Sequence, residues 1–288
     1  MFDGKKVVRG IGSALTVGGI IFVVYRLVDY GADIDPQKVD SVSWTILGFL
    51  SFAYCLASIF LVLAWREILA SLDEQISFVT ALKLYGISQI AKYLPGNVFH
   101  LGSRQALGMA EGLAGWKLGK SVFGEFALLI VAALFFFILI LPKFGVTMPW
   151  QNAFLLFIVG VIVACLFVLR LVGVHFSKSL LYLVIFFALV GMVFYFVAMQ
   201  MSDIYLFPVQ LFVGAFVISW LAGFLTPGSP AGMGVRELIL LMLLKGVMVE
   251  ADLLIAILLA RGVSVLGDIW LLIVARLSSI FCRRVSCE

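Results

Sequence analysis

The sequence predicts an all-α integral membrane protein, a single transmembrane domain over residues 1–288. It should hold about six full spans plus two re-entrant helical hairpins in an inverted repeat. Three observations predict this. The chain is 64% hydrophobic and only 12% charged, with mean hydropathy +1.18, whereas a soluble domain is roughly half apolar and a quarter charged. Apolar runs of about twenty residues, the length that crosses a bilayer as a helix, recur along it. Two of the runs are interrupted by Pro-Gly, and the two interruptions match each other.

The first predicted span covers 7–28, after Lys5, Lys6 and Arg9. This basic start is that of a signal peptide, but no small-residue cleavage site follows, so an uncleaved span is expected. Gly12, Gly18 and Gly19 give it a face for close packing, within the subunit or across a homodimer. An acidic loop, 29–40, carries Asp33, Asp35 and Asp40. Further full spans are expected at 42–65, 121–141, 152–173, 179–200 and 253–276. Between them lie the interrupted runs 78–112 and 208–249. A proline and two glycines in the centre of one long helix would break its hydrogen-bond ladder. Two half-helices meeting at the proline satisfy the same sequence, and backbone freed at membrane depth is tolerated where protein or a wet cavity surrounds it.

The interruptions read Lys92-Tyr93-Leu94-Pro95-Gly96-Asn97 and Phe224-Leu225-Thr226-Pro227-Gly228-Ser229. Nine residues after each proline comes an arginine, Arg104 or Arg236, with Gly102 or Gly234 two before it. A second matched block follows each: Ser121-Val122-Phe123-Gly124-Glu125 and Ser264-Val265-Leu266-Gly267-Asp268. Two blocks recurring in one order argue for internal duplication, with repeats at about 78–141 and 208–276. Duplicated breaks in apolar sequence point to a transporter's substrate site. Three full spans between the hairpins make the repeat inverted, with the tips meeting near the midplane. Lysines and arginines place both termini in the cytoplasm, since only Lys38, Lys143 and Lys245 fall in the predicted external loops.

Arg104, Glu125, Arg236, Glu237, Arg261 and Asp268 lie where hydrocarbon would otherwise be. A charge facing lipid costs roughly 2.5–3.5 kcal/mol on insertion scales, so these residues should face the interior or one another. The repeat suggests Arg104 with Glu125, and Arg236 with Asp268. Two readings stay open. In one, the pairs only pin the hairpins. In the other, they line a polar cavity for an anionic headgroup. There, half-helix N-termini after Pro95-Gly96 and Pro227-Gly228 would offer free N–H groups. Asn97 and Ser229 would cap those half-helices. Each arginine would lie about two and a half turns along its half-helix and bind phosphate in a bidentate manner. Gly96, Gly102, Gly228, Gly232 and Gly234 would allow tight turns and close backbone approach. Tyr93 and Phe224, just before the breaks, are read as packing residues.

Both signature stretches resemble those of the lysylphosphatidylglycerol synthase transmembrane-region family. The second, Pro227-Gly228-Ser229-Pro230-Ala231-Gly232-Met233-Gly234-Val235-Arg236-Glu237, is the more specific, close to a Pro-Gly-Gly-x-Gly-x-Arg-Glu pattern. The resemblance covers nearly the whole chain and includes the Glu125 and Arg261 regions. It implies a flippase-type membrane unit, acting on an aminoacyl-phospholipid or a polyprenyl-phosphate-linked sugar. Many members have Gly-Asp ahead of the first arginine, where this chain has Leu101-Gly102-Ser103. The soluble aminoacyl-transfer domain is expected to be missing, so a separately encoded enzyme would make the lipid.

The expected function is therefore translocation of a phosphate-bearing lipid between leaflets of the cytoplasmic membrane. Arg104 and Arg236 would hold phosphate, and Glu125 and Asp268 would balance them. Neither enzymatic activity, a cofactor nor nucleic-acid binding is expected. Cys55, Cys165, Cys282 and Cys287 fit no zinc spacing, and His100 and His175 are far apart, so no metal is assigned. The alternatives are a membrane glycosyl- or phosphoglycosyl-type transferase using Asp33, Asp35 or Asp40, and a scaffold for a cell-surface glycan or lipid pathway.

Overall fold

The computed structural model describes residues 42–93, 99–201, 207–226, 232 and 234–285. Among these residues the protein is all-α, with no strand and one isolated bridge between Lys245 and Met248. Helix α1 spans Trp44–Ala70. Helix α2, Phe78–Gln89, tightens into a 3₁₀ turn over Ile90–Tyr93, and α3 covers Phe99–Ala110. Helix α4, Gly115–Phe135, continues as a 3₁₀ stretch over Phe136–Phe144. Then come α5 (Trp150–Leu171), α6 (Val174–Met199), α7 (Val209–Leu225), α8 (Val235–Leu244) and α9 (Glu250–Val285).

Five helical stretches are long and apolar enough to cross a membrane: Trp44–Ala70, Gly115–Phe144, Trp150–Leu171, Val174–Met199 and Glu250–Ser279. This is the build of a multi-pass membrane protein. They correspond to five of the predicted full spans. The sixth, 7–28, lies outside the described residues, as does the acidic loop. Several boundaries differ from the sequence reading. Helix α4 begins at Gly115, ahead of the expected 121, and takes in Lys117 and Lys120. Lys117 donates to the Asp73 carbonyl at 3.1 Å and pairs with Glu74 at 3.6 Å, which keeps its charge at the helix end. Helix α1 passes Arg66-Glu67 and runs to Ala70, because Arg66 Nε reaches the Ile76 carbonyl at 3.1 Å and Glu67 meets His175 at 2.8 Å. These contacts gather the ends of α1, α4 and α6. Elsewhere Lys143 donates to the Lys245 carbonyl at 3.0 Å.

Helix α6 is the inner one: 61% of its most apolar window is buried, against 11% for α5 at the periphery. It packs on α1, α4, α5, α7 and α9, and α9 packs in turn on α1 and α2. Small residues permit the close crossings. A Cβ added to Gly86, Gly191 or Gly267 would come within 2.7 Å of Ala275, Val213 or Tyr54 respectively. In lipid this close backbone approach replaces hydrophobic expulsion as the force between helices.

Helices α2, α3 and α8 have 12, 12 and 10 residues. At 1.5 Å per residue they reach about 15–18 Å, well short of the roughly 30 Å of hydrocarbon. The order short helix, second short helix, long helix thus recurs: α2, α3, α4 and then the 17-residue α7, α8, α9.

Candidate functional site

Arg104 lies in the second turn of α3 and is 2% exposed. Its guanidinium meets Glu125 of α4 with both terminal nitrogens: Nη1 lies 3.2 Å from Oε1, and Nη2 contacts Oε2. The Tyr85 hydroxyl donates to the same Oε1 at 2.9 Å. The guanidinium carbon lies 4.9 Å from the Trp65 ring centre and 4.5 Å from that of Tyr85. Trp65 is itself fixed by its Nε1–H bond to Ser121 Oγ, at 3.1 Å. Arg104 is thus enclosed by one carboxylate and two aromatic faces.

Arg236 has a different setting. Gly232 and Gly234 take φ of +71° and +86°, which residues with a Cβ rarely adopt. A Cβ on Gly232 would also fall 2.8 Å from Gly223 Cα, so the chain crosses the end of α7 backbone to backbone. Helix α8 then starts at Val235, and Arg236 is its second residue. The expected placement two and a half turns along is corrected by this late start. The cap is corrected too: it is Gly234, whose N–H donates to Glu237 Oε2 at 2.6 Å. Ser229 lies too early to cap α8. Arg236 rests over Phe216 of α7, 4.4 Å from the ring centre. Among the described residues no carboxylate pairs with it, since the three buried acids of the cluster are engaged elsewhere. Glu237 spends its other oxygen on Arg261 Nε at 2.7 Å.

The expected Arg236–Asp268 pair is therefore corrected. Asp268, fully buried on α9, accepts from Lys92 Nζ at 2.7 Å and from the Tyr93 hydroxyl at 2.5 Å. Both donors sit on the 3₁₀ turn after α2. Asp268 thus ties the first interrupted segment to the last helix. Arg104–Glu125 lies wholly in the first half, and Arg261–Glu237 wholly in the second.

One cavity joins these groups. Its wall takes Tyr85, Lys92, His100 and Glu125 from the first half, and Arg236 and Arg261 from the second. Apolar sides come from Phe126, Phe186, Trp220 and Phe224. Phe224 stacks on Trp220, with ring centres 4.8 Å apart, so its packing role stands although it also faces the cavity. The space open to water centres is about 90 Å³, room for several water molecules or a compact polar group. The buried side-chain polar atoms without a partner among the described residues are His100 Nδ1, Arg104 Nε, Arg261 Nη2 and Asp268 Oδ1. All four belong to this cluster. Buried polar groups ordinarily have partners, so each orphan asks for water or a ligand.

No family model matches this sequence, and no curated protein matches it significantly.

The structure brings Glu125, Arg236 and Arg261 to one cavity wall. It places Arg104, Glu237 and Asp268 directly behind, each bonded to a residue that lines it. Pro95, Gly96, Asn97, Pro227, Gly228 and Ser229 lie outside the described residues, and so do Asp33, Asp35 and Asp40 of the transferase alternative. Gly102 takes no left-handed φ, and a Cβ there would meet nothing within 4 Å, so its expected role as a tight-turn glycine is corrected. Sequence reasoning missed Lys92, although a lysine inside an apolar run satisfies the criterion that selected the arginines. It also missed Trp65 and Tyr85, for which an aromatic-rich chain gives no distinguishing signal.

Proposed function

We propose that this protein translocates a phosphate-bearing lipid between leaflets, with the headgroup in the cavity between the two matched segments and the tails left in lipid. A single observation carries the reading: one cavity is walled by both halves, with orphan polar atoms of His100 and Arg261 on its lining residues and Arg236 without a paired carboxylate among the described residues. Arg236 supplies the bidentate contact to phosphate, and Arg261 Nη2 a further donor. The start of α8 adds free backbone N–H groups and the positive end of the helix dipole.

In this reading the short helices are the arms of two re-entrant hairpins, inverted relative to one another, and 7–28 supplies a sixth span. The chain sits in the cytoplasmic membrane with both termini inside. Its membrane unit is of the lysylphosphatidylglycerol synthase flippase type, and a separate enzyme makes the lipid. The Lys92–Asp268 pair, which links the two halves, opens and closes as the cavity changes its side of access.

The test uses proteoliposomes holding fluorescent, headgroup-intact anionic phospholipids and polyprenyl-phosphate sugars. Wild-type protein should accelerate flipping of at least one phosphate lipid over protein-free vesicles, and Arg236→Met should cut that rate at least tenfold. Wild-type rates equal to protein-free vesicles for every phosphate lipid would overturn the reading.

A further inference from the structure

The charges around the cavity do not cancel. Among the described residues, Lys92, Arg104, Arg236 and Arg261 face Glu125, Glu237 and Asp268, leaving one positive charge in excess there. The segments 94–98 and 227–231, beside these residues in sequence, contain no ionisable side chain. Each of the three acids holds one cation, and among the described residues Arg236 is the cation left over. Hydrogen-bonding capacity is skewed in the same direction. Both oxygens of Glu125 and both of Glu237 are occupied. Asp268 keeps one free oxygen but does not line the cavity. Donors remain at Arg236 and at Arg261 Nη2, and Gln89 and His100 offer polar atoms on the same wall.

We infer that the site selects a headgroup bearing one negative charge: a lipid phosphodiester rather than a pyrophosphate or a phosphomonoester. This rests on the lipid-translocation reading and deepens it. A phosphodiester carries a single charge at neutral pH and makes the occupied cavity neutral. A pyrophosphate diester brings two, and a phosphomonoester about 1.5 to 2. Either would leave a net negative charge in a partly enclosed site among buried side chains, where an uncompensated ion is disfavoured. The skew toward donors also disfavours an amine in the headgroup, because no cavity-lining carboxylate keeps an oxygen to accept it. Glycerophospholipids and polyprenyl monophosphate sugars both supply the required group.

Native mass spectrometry of the purified full chain separates these cases. The protein is offered equimolar polyprenyl-phosphate hexose, polyprenyl-pyrophosphate hexose with the same tail and sugar, phosphatidylglycerol, phosphatidic acid and phosphatidylcholine. The monophosphate hexose should bind at least tenfold more tightly than its pyrophosphate counterpart, and phosphatidylglycerol more tightly than phosphatidic acid. The stronger of the two phosphodiesters identifies the lipid source. Arg236→Met, which removes the surplus charge, should abolish the preference over phosphatidylcholine. Asp268→Asn, which adds one, should narrow the gap between monophosphate and pyrophosphate. Equal or tighter pyrophosphate binding, still lost in Arg236→Met, would overturn the charge assignment and leave the cavity reading intact. Anionic phosphate lipids binding no better than zwitterionic phosphatidylcholine, with Arg236→Met without effect, would remove the cavity reading itself.

Discussion

Arg104 and Arg236 occupy matched positions in a duplicated motif, yet their surroundings are opposite. Arg104 is gripped by a bidentate carboxylate and two aromatic rings. Arg236 lies over one phenylalanine ring, with no acid paired to it among the described residues. The cause is local. In the first half the helix starts at Phe99 and carries its arginine into the second turn, toward α4. In the second half the left-handed glycines delay the helix to Val235, which keeps the arginine at its start and beside the cavity. The sequence places an arginine nine residues after the proline of each Pro-Gly pair. The differing helix starts leave one bound to a carboxylate and the other without a paired acid among the described residues.

This contrast can be broken most sharply at Arg104. Arg104→Ala leaves Glu125 buried without its partner, which costs about 3–5 kcal/mol. Denaturant unfolding in detergent should show that loss, and Arg104→Met/Glu125→Met should restore most of it. Lys92→Met comes next. It strands the buried Asp268 carboxylate with Tyr93 alone and should lower stability by about 3 kcal/mol, the low end for breaking a buried pair because the Tyr93 hydroxyl still donates. Gly232→Ala forces a Cβ onto left-handed backbone against Gly223, at about 2 kcal/mol, read as a lower Tm. Tyr93→Phe removes a single bond to Asp268 and should cost about 1 kcal/mol. Arg236→Met should have the smallest effect on stability, under about 1 kcal/mol, because it removes a cation without stranding a carboxylate.

The helical membrane build was legible because apolar length alone dictates it, and the spans at Trp44, Gly115, Trp150, Val174 and Glu250 follow from it. Arg104–Glu125 was legible because both residues sit in the duplicated blocks and their helices are neighbours. Arg236–Asp268 failed because repeat symmetry carries no information about where a helix begins after a break. Lys92 was hidden by the same symmetry: it lies three residues before Pro95, and three before Pro227 the second copy has Phe224. A search for ionisable residues that ignored the repeat would have found it. Glu237 and Arg261 were singled out, but their mutual bond joins α8 to α9 across 24 residues, and no local pattern records it.

The most direct test purifies wild type, Arg104→Met and Arg236→Met side by side, measuring Tm and quantifying co-purifying phosphate lipid in each. The expected result is a split. Arg236→Met keeps the wild-type Tm and loses the lipid, while Arg104→Met loses Tm and retains lipid in whatever fraction stays folded. Lipid retained in full by a stably folded Arg236→Met would contradict the account, because the surplus guanidinium would then not be what holds the headgroup.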